Sequence, residues 1–179
     1  MDIINLLSNE AIKSLEKRQE ITIAIQTQLI TIKEIQTLKN ILEDKKLVLV
    51  LEAMETVTNK NPEMANTDWL KFVQDLITSK SNNIKREASR IVGNIAHMFP
   101  DDLETSIQNL MENTTNEGTV IRWGSAYALA KIIQIPQHAN SELYDILNKL
   151  CEQETENGVK NQLLGGLKKA KKLKKEKLP

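Results

Sequence analysis

The sequence predicts an all-α fold of antiparallel helical hairpins stacked side by side, with no β-sheet and at least eight helices. Three observations predict it. First, the chain repeats itself. Ile84-Lys-Arg-Glu-Ala-Ser-Arg-Ile-Val-Gly-Asn-Ile95 aligns without gaps on Ile121-Arg-Trp-Gly-Ser-Ala-Tyr-Ala-Leu-Ala-Lys-Ile132, at an offset of 37. Second, Pro62, Pro100 and Pro136 each follow such a segment, 38 and 36 residues apart. A proline cannot continue a helix interior, so each marks a stop or the first turn of the next helix. Third, the apolar positions within each copy fall at i, i+4, i+7, i+8 and i+11, which is one face of an α-helix.

Two weaker copies extend the pattern. Val159-Lys160, with Leu163 and Leu167, lies 38 residues beyond Ile121, and Leu49, with Glu52-Ala53 matching Glu87-Ala88, lies 35 before Ile84. The four copies define one set of helices over about 47–59, 83–98, 118–134 and 158–173. A second set alternates with them. Residues 31–43 carry Ile32, Ile35, Leu38, Ile41 and Leu42. Asn66 or Thr67 caps a helix with Leu70, Val73, Leu76 and Ile77; Pro100, Asp101 and Asp102 open one with Leu103, Ile107, Leu110 and Met111; Asn140 or Ser141 caps one with Leu143, Ile146, Leu147 and Leu150. Small polar caps and first-turn acids suit a helix N-terminus. Ile21–Ile25 alternates like a strand, but Ile21, Ala24, Ile25 and Leu29 also fit a helical face, and no partner strand exists elsewhere. The organisation is therefore 1–30 as N-terminal capping helices, 31–173 as about four repeats, and 174–179 as a basic tail that adds little stability.

A helix–turn–helix unit with this period resembles the HEAT repeat. Ile84-Lys85, Ile121-Arg122 and Val159-Lys160 look like the aliphatic–basic pair that opens the family's inner helix. Ala88 and Ser125 look like its close-packing position. Where the family often places an aspartate before that helix, to pair with the basic residue of a neighbouring repeat, this chain offers Asn82, Asn116 or Glu117. The resemblance implies a right-handed α-solenoid, inner helices lining a concave side, and a role as a scaffold or binding platform.

Composition narrows the function. The 179 residues are 40% apolar and 27% charged, ordinary values for a globular chain. Aromatics are only 3%, so the core is expected to be aliphatic. Met1-Asp2-Ile3-Ile4-Asn5 has no basic segment followed by an apolar one, and no apolar run approaches the ~20 residues of a membrane span. A soluble, cytoplasmic protein is expected. Net charge is zero but uneven: residues 160–179 hold eight lysines and one glutamate, the remainder 16 Lys and Arg against 23 Asp and Glu. The basic end is read as a solvated helix terminus, or as a weak electrostatic contact for nucleic acid or an anionic surface.

Chemistry is sparse. There is no phosphate-binding glycine loop. His97 and His138 are far apart and lack metal-ligand spacing. Cys151, the single cysteine, falls on a buried helix face, where a thiol is inert. No cofactor and no catalytic residue is assigned, and the chain is read as a binding protein, not an enzyme.

The binding face follows from helical geometry. At about 100° per residue from each first aliphatic residue, the outward face centres near 210°. It carries Leu51 and Glu55; Arg86, Arg90 and His97 with Gly93 between; Trp123 and Tyr127 with Ala130 between; and Asn161 with Gly165. Arg, Trp and Tyr are the residues that most often anchor interfaces. Armadillo proteins, which the chain resembles here, hold extended peptides on tryptophans of their inner helices. The expectation is that Arg86, Arg90, Trp123 and Tyr127, with Glu55 and His97, hold an extended protein segment with acidic and apolar side chains. Trp123 serving only as packing between helices is the competing reading. The alternative function is a nucleic-acid-binding protein similar to the HEAT-like glycosylases for alkylated bases. Arg86, Arg90, Trp123 and Tyr127 partly fit it, but Glu55 is the only acid expected on that face.

Overall fold

A computed structural model describes residues 2–175. They form eleven α-helices and no strand: α1 (Ile3–Ser8), α2 (Ser14–Gln26), α3 (Ile32–Leu38), α4 (Asp44–Lys60), α5 (Thr67–Leu76), α6 (Asn82–Ile95), α7 (Glu104–Asn113), α8 (Thr119–Ile132), α9 (Pro136–Ala139), α10 (Leu143–Gln153) and α11 (Asn157–Lys175). Short 3-10 turns run over Pro62–Met64 and Ala96–Met98. Two of the three spaced prolines occupy the first turn of a helical segment, Pro62 and Pro136, where the missing N–H costs nothing.

The helices form two layers. In one, α2, α4, α6, α8 and α11 pack in chain order, each against the next. The other holds α3, α5 and α7, again in order, while α1, α7 and α10 back onto α2, α8 and α11. The core lies between the layers and is mainly aliphatic, with Trp69 and Phe72 added from α5. Ile91, Val92 and Ile95 of α6 and Leu129, Ile132 and Ile133 at the end of α8 are fully buried. Each such side chain contributes about 1.5–3 kcal/mol on removal from water.

Local chemistry explains most boundaries. Thr31 and Glu34 cap α3 reciprocally: Thr31 N donates to Glu34 Oε2 at 2.7 Å, and Glu34 N to Thr31 Oγ1 at 3.4 Å. Asn66 Oδ1 accepts from the backbone N–H groups of Asp68 and Trp69 and starts α5. Three expected boundaries move. Residues 31–43 are not one helix: α3 stops at Leu38, the chain turns through 39–42, and Ile41 faces solvent. Pro100–Asp102 is a turn, and α7 begins only at Glu104, because Leu103 is drawn fully into the core as the residue before it. Helix α10 starts at Leu143 with Glu142, not Asn140 or Ser141, in the cap position, although Ser141 Oγ accepts from Leu143 N at 3.3 Å. The segment 21–25 is helical, inside α2. Of the expected tail, 174–175 belong to α11, and 176–179 lie outside the described residues.

Side-by-side packing in the first layer depends on small residues. An added Cβ on Gly93 would sit 2.9 Å from the Cα of Ala128, and one on Gly166 would sit 2.6 Å from the Cα and O of Ala130. The backbones of α6, α8 and α11 therefore meet almost directly. Ala88 and Ser125 are likewise fully buried. The basic residues that open α6 and α8 reach across the stack, whereas Lys160 of α11 donates to Glu154 O just before its own helix. Lys85 donates to Asn113 Oδ1 at 3.1 Å, and Arg122 pairs with Glu154 at 3.0 Å. Asn116 and Glu117 contribute only their carbonyl oxygens to Arg122. Burial opposes ionisation of Glu154, but its bonds from Arg122 and from two backbone N–H groups outweigh that and leave its carboxyl below the usual range. No described helix is long and apolar enough to cross a membrane.

Candidate functional site

The outer surface of the first layer carries a continuous polar network that crosses four helices. On α2, Arg18 Nη1 lies 3.5 Å from Glu52 Oε2 of α4. Glu52 Oε1 in turn lies 4.0 Å from Arg86 Nη2 of α6. Arg86 Nε donates to Glu87 Oε1 at 2.6 Å, and Arg90 Nη1 donates to Glu87 Oε2 at 2.8 Å. Arg90 Nη2 reaches back to Glu55 Oε1 of α4 at 2.8 Å. Asn94 Nδ2 shares Glu55 and Thr58 at 3.3–3.5 Å, and Tyr127 Oη of α8 donates to Asn94 Oδ1 at 2.7 Å.

Burial separates these groups into two kinds. Glu87 is 1% exposed and Glu55 is 6% exposed, so both are pedestals beneath the surface. Arg86, Arg90, Trp123 and Tyr127 are half-buried and present one edge to solvent, and His97 is exposed. Burial raises the Glu55 carboxyl above its ordinary value, against the pull of Arg90. It also raises the Tyr127 phenol, with the Glu55 charge adding to the effect. Trp123 and Tyr127 stack at 5.6 Å between ring centroids, with 25° between planes. Lys131, the next residue in that row, places Nζ 5.5 Å from the Tyr127 ring centre.

The structure thus brings Arg86, Arg90, Trp123 and Tyr127 to one surface, with His97 at its edge. Several helical-wheel assignments are corrected. Glu55 lies under the surface, not on it. Leu51 is fully buried against neighbouring helices. Gly93 and Ala130 are the contact points of α6 with α8 and of α8 with α11, so they face neighbours, not solvent. Asn161 and Gly165 are exposed as expected. Glu55 is not the face's only acid, because Glu52 and Glu87 join it. These two were legible in principle. They occupy equivalent positions of two repeats, Glu52-Ala53 and Glu87-Ala88. Arg18 carried no such signal, since the register of α2 rests on packing alone.

Two clefts flank the end of α8. One of 310 Å³ lies towards α6 and includes Asn59, Asn94, His97, Lys131 and Gln134. One of 140 Å³ lies towards α11 and includes Tyr127, Lys131, Asn161, Gly165 and Lys169. Among the described residues no cluster of His, Cys, Asp or Glu could hold a metal ion. Cys151 is buried, and that burial pushes its thiol up, away from the reactive thiolate.

The chain matches no protein-family model and no curated protein. Three crystal structures of engineered proteins from the Northeast Structural Genomics Consortium are similar to it. Their fold is what it shares. One matches with a TM-score of 0.68 at 16% identity, over 94% of this chain and 47% of the other. A second matches at 0.61 and 14% identity, over 95% and 79%. A third matches at 0.53 and 13%, over 96% and 99%. This chain therefore spans about half the length of the first of them.

Proposed function

We propose that the chain is a HEAT-like right-handed α-solenoid that binds an extended protein segment along the concave surface of α2, α4, α6, α8 and α11. The in-order packing of those five helices supports the solenoid reading, because stacking in one dimension leaves a long groove. The observation that carries the binding reading is the Trp123–Tyr127 pair. Both rings are held half out of the surface by buried neighbours, beside guanidinium edges that are themselves fixed by buried carboxylates. Such an aromatic plate loses little conformational freedom when a partner covers it. The binding is non-catalytic in this reading. Each acid of the face is tied to an arginine, so none stands free as a general base.

The charge balance also favours protein over nucleic acid. Arg18, Arg86 and Arg90 are each within ion-pair distance of Glu52, Glu55 or Glu87, so that part of the face is neutral. A phosphate backbone seeks an uncompensated basic stripe.

The test is affinity capture from native lysate with the wild type and Trp123→Ala. Arg90 is a poor probe, because its removal would strand two buried carboxylates. Trp123→Ala is expected to keep wild-type helicity and to lose the captured protein partners. A variant that folds normally and retains every partner would defeat the proposal. A mobility-shift titration with duplex DNA separates the second reading: tight binding with a steep salt dependence would favour nucleic acid.

A further inference from the structure

We infer that the clefts around Lys131 take a side-chain carboxylate of the bound segment, two residues from the side chain that lies on Trp123 and Tyr127. This rests on the peptide-binding reading above and adds the segment's charge and register. Along the inner face the charges fall into two zones. Towards α2, α4 and α6 the arginines are neutralised by Glu52, Glu55 and Glu87. Towards the ends of α8 and α11 the cations have no such partners. Lys131 and His97 line one cleft, Lys131 and Lys169 the other, and no carboxylate lines either. Among the described residues no carboxylate lies within 4.0 Å of any of the three. Gln134, Asn59 and Asn161 add neutral hydrogen-bonding groups around them.

Spacing links this zone to the aromatic plate. Lys131 follows Tyr127 by one helical turn, about 5.4 Å along α8. Side chains on one side of an extended peptide recur every two residues, about 6.6 Å apart. Where the bound segment crosses the stack and a stretch of it turns along α8, an apolar side chain on the plate is followed by a second-next side chain at Lys131. Lys131 and Lys169, with the His97 ring beside them and no acid, select a carboxylate there. A nucleic acid fits less well. The neutral zone with its three carboxylates lies alongside the clefts and offers a phosphate backbone no uncompensated basic stripe.

A random-peptide display library panned on the wild type, on Trp123→Ala and on Lys131→Glu tests this. Lys131 is exposed, so its variants are expected to fold normally, with circular dichroism as the check. Wild-type binders that depend on Trp123 should carry Asp or Glu two residues from an aromatic or aliphatic residue. On Lys131→Glu that position should change to Lys or Arg. Replacing the acid of one selected peptide by its amide should weaken binding about fivefold on the wild type and by clearly less on Lys131→Gln. Trp123-dependent binders without an acidic position, or unchanged on Lys131→Glu, would overturn the carboxylate assignment and leave the peptide groove standing. Selection of no Trp123-dependent peptide would remove both. Displacement of a selected peptide by single-stranded oligothymidylate, dependent on Lys131, would assign the clefts to phosphate and overturn the inference.

Discussion

Glu87 shows how a single residue organises this surface. A carboxylate so far from water needs compensation, and Arg86 and Arg90 supply it from the same helix at i−1 and i+3. The arginines are thereby held in one geometry. Replacing Glu87 by Ala would leave a void beneath two half-buried guanidiniums. We expect Glu87→Ala to lower stability by about 3 kcal/mol, read from the urea midpoint. A loss within the range of ordinary surface substitutions would show that Glu87 is not the anchor. Glu55 behaves differently. Its carboxyl titrates above the usual 4.5, so the folded protein holds that proton more tightly than the unfolded chain does. This group's contribution to stability therefore declines as pH rises from 4.5 through the raised value. Glu55→Gln should remove that decline. An unchanged profile of urea midpoint against pH would place the titration elsewhere.

At the scale of elements, adjacent glycines in α11 separate packing from propensity. A Cβ added at Gly166 would lie 2.6 Å from the backbone of Ala130, whereas one added at Gly165 would meet nothing within 4 Å. Gly165→Ala should stabilise the protein by about 0.5–1 kcal/mol, since alanine is the better helix former. Gly166→Ala should destabilise it by about 1–3 kcal/mol, because α11 must move away from α8. Thermal melts of the two variants shifting in the same direction would contradict this account. The pair of glycines looked alike in sequence, as either a close approach or fraying; only the position of α8 distinguishes them.

Across the whole molecule, contact is uneven. Helix α6 is flanked by α4, α8 and α5, whereas α1 packs on α2 and α3 on α5. Opening free energies should follow that gradient. Native-state hydrogen exchange is expected to be slowest in α4, α6 and α8 and fastest in α1 and α3. Uniform protection from α1 to α11 would mean that the chain opens as one unit.

The helical pattern was legible because it is local. Apolar residues at 3.6-residue spacing, prolines at a fixed beat and a gapless repeat report on one helix at a time, and they located α4, α6, α8 and α11 to within three residues at each end. They also brought Arg86, Arg90, Trp123 and Tyr127 to one face. They failed where a residue's environment comes from another helix. Glu55 and Leu51 pointed outward on an isolated helical wheel, but α6 covers one and neighbouring helices the other. Gly93 and Ala130 looked like gaps in the surface and are points of helix contact. The ends of α3 and α7 moved because Ile41 and Leu103 answered to the core, not to their own helix. Sequence by itself determined the all-helical character of the described residues and most of the side chains available to the outer surface of the first layer, since both follow from backbone periodicity. The tertiary structure alone decided which arginine meets which carboxylate, which acids are buried, and which cations are left without a carboxylate, since those depend on distances between helices that no single helix encodes.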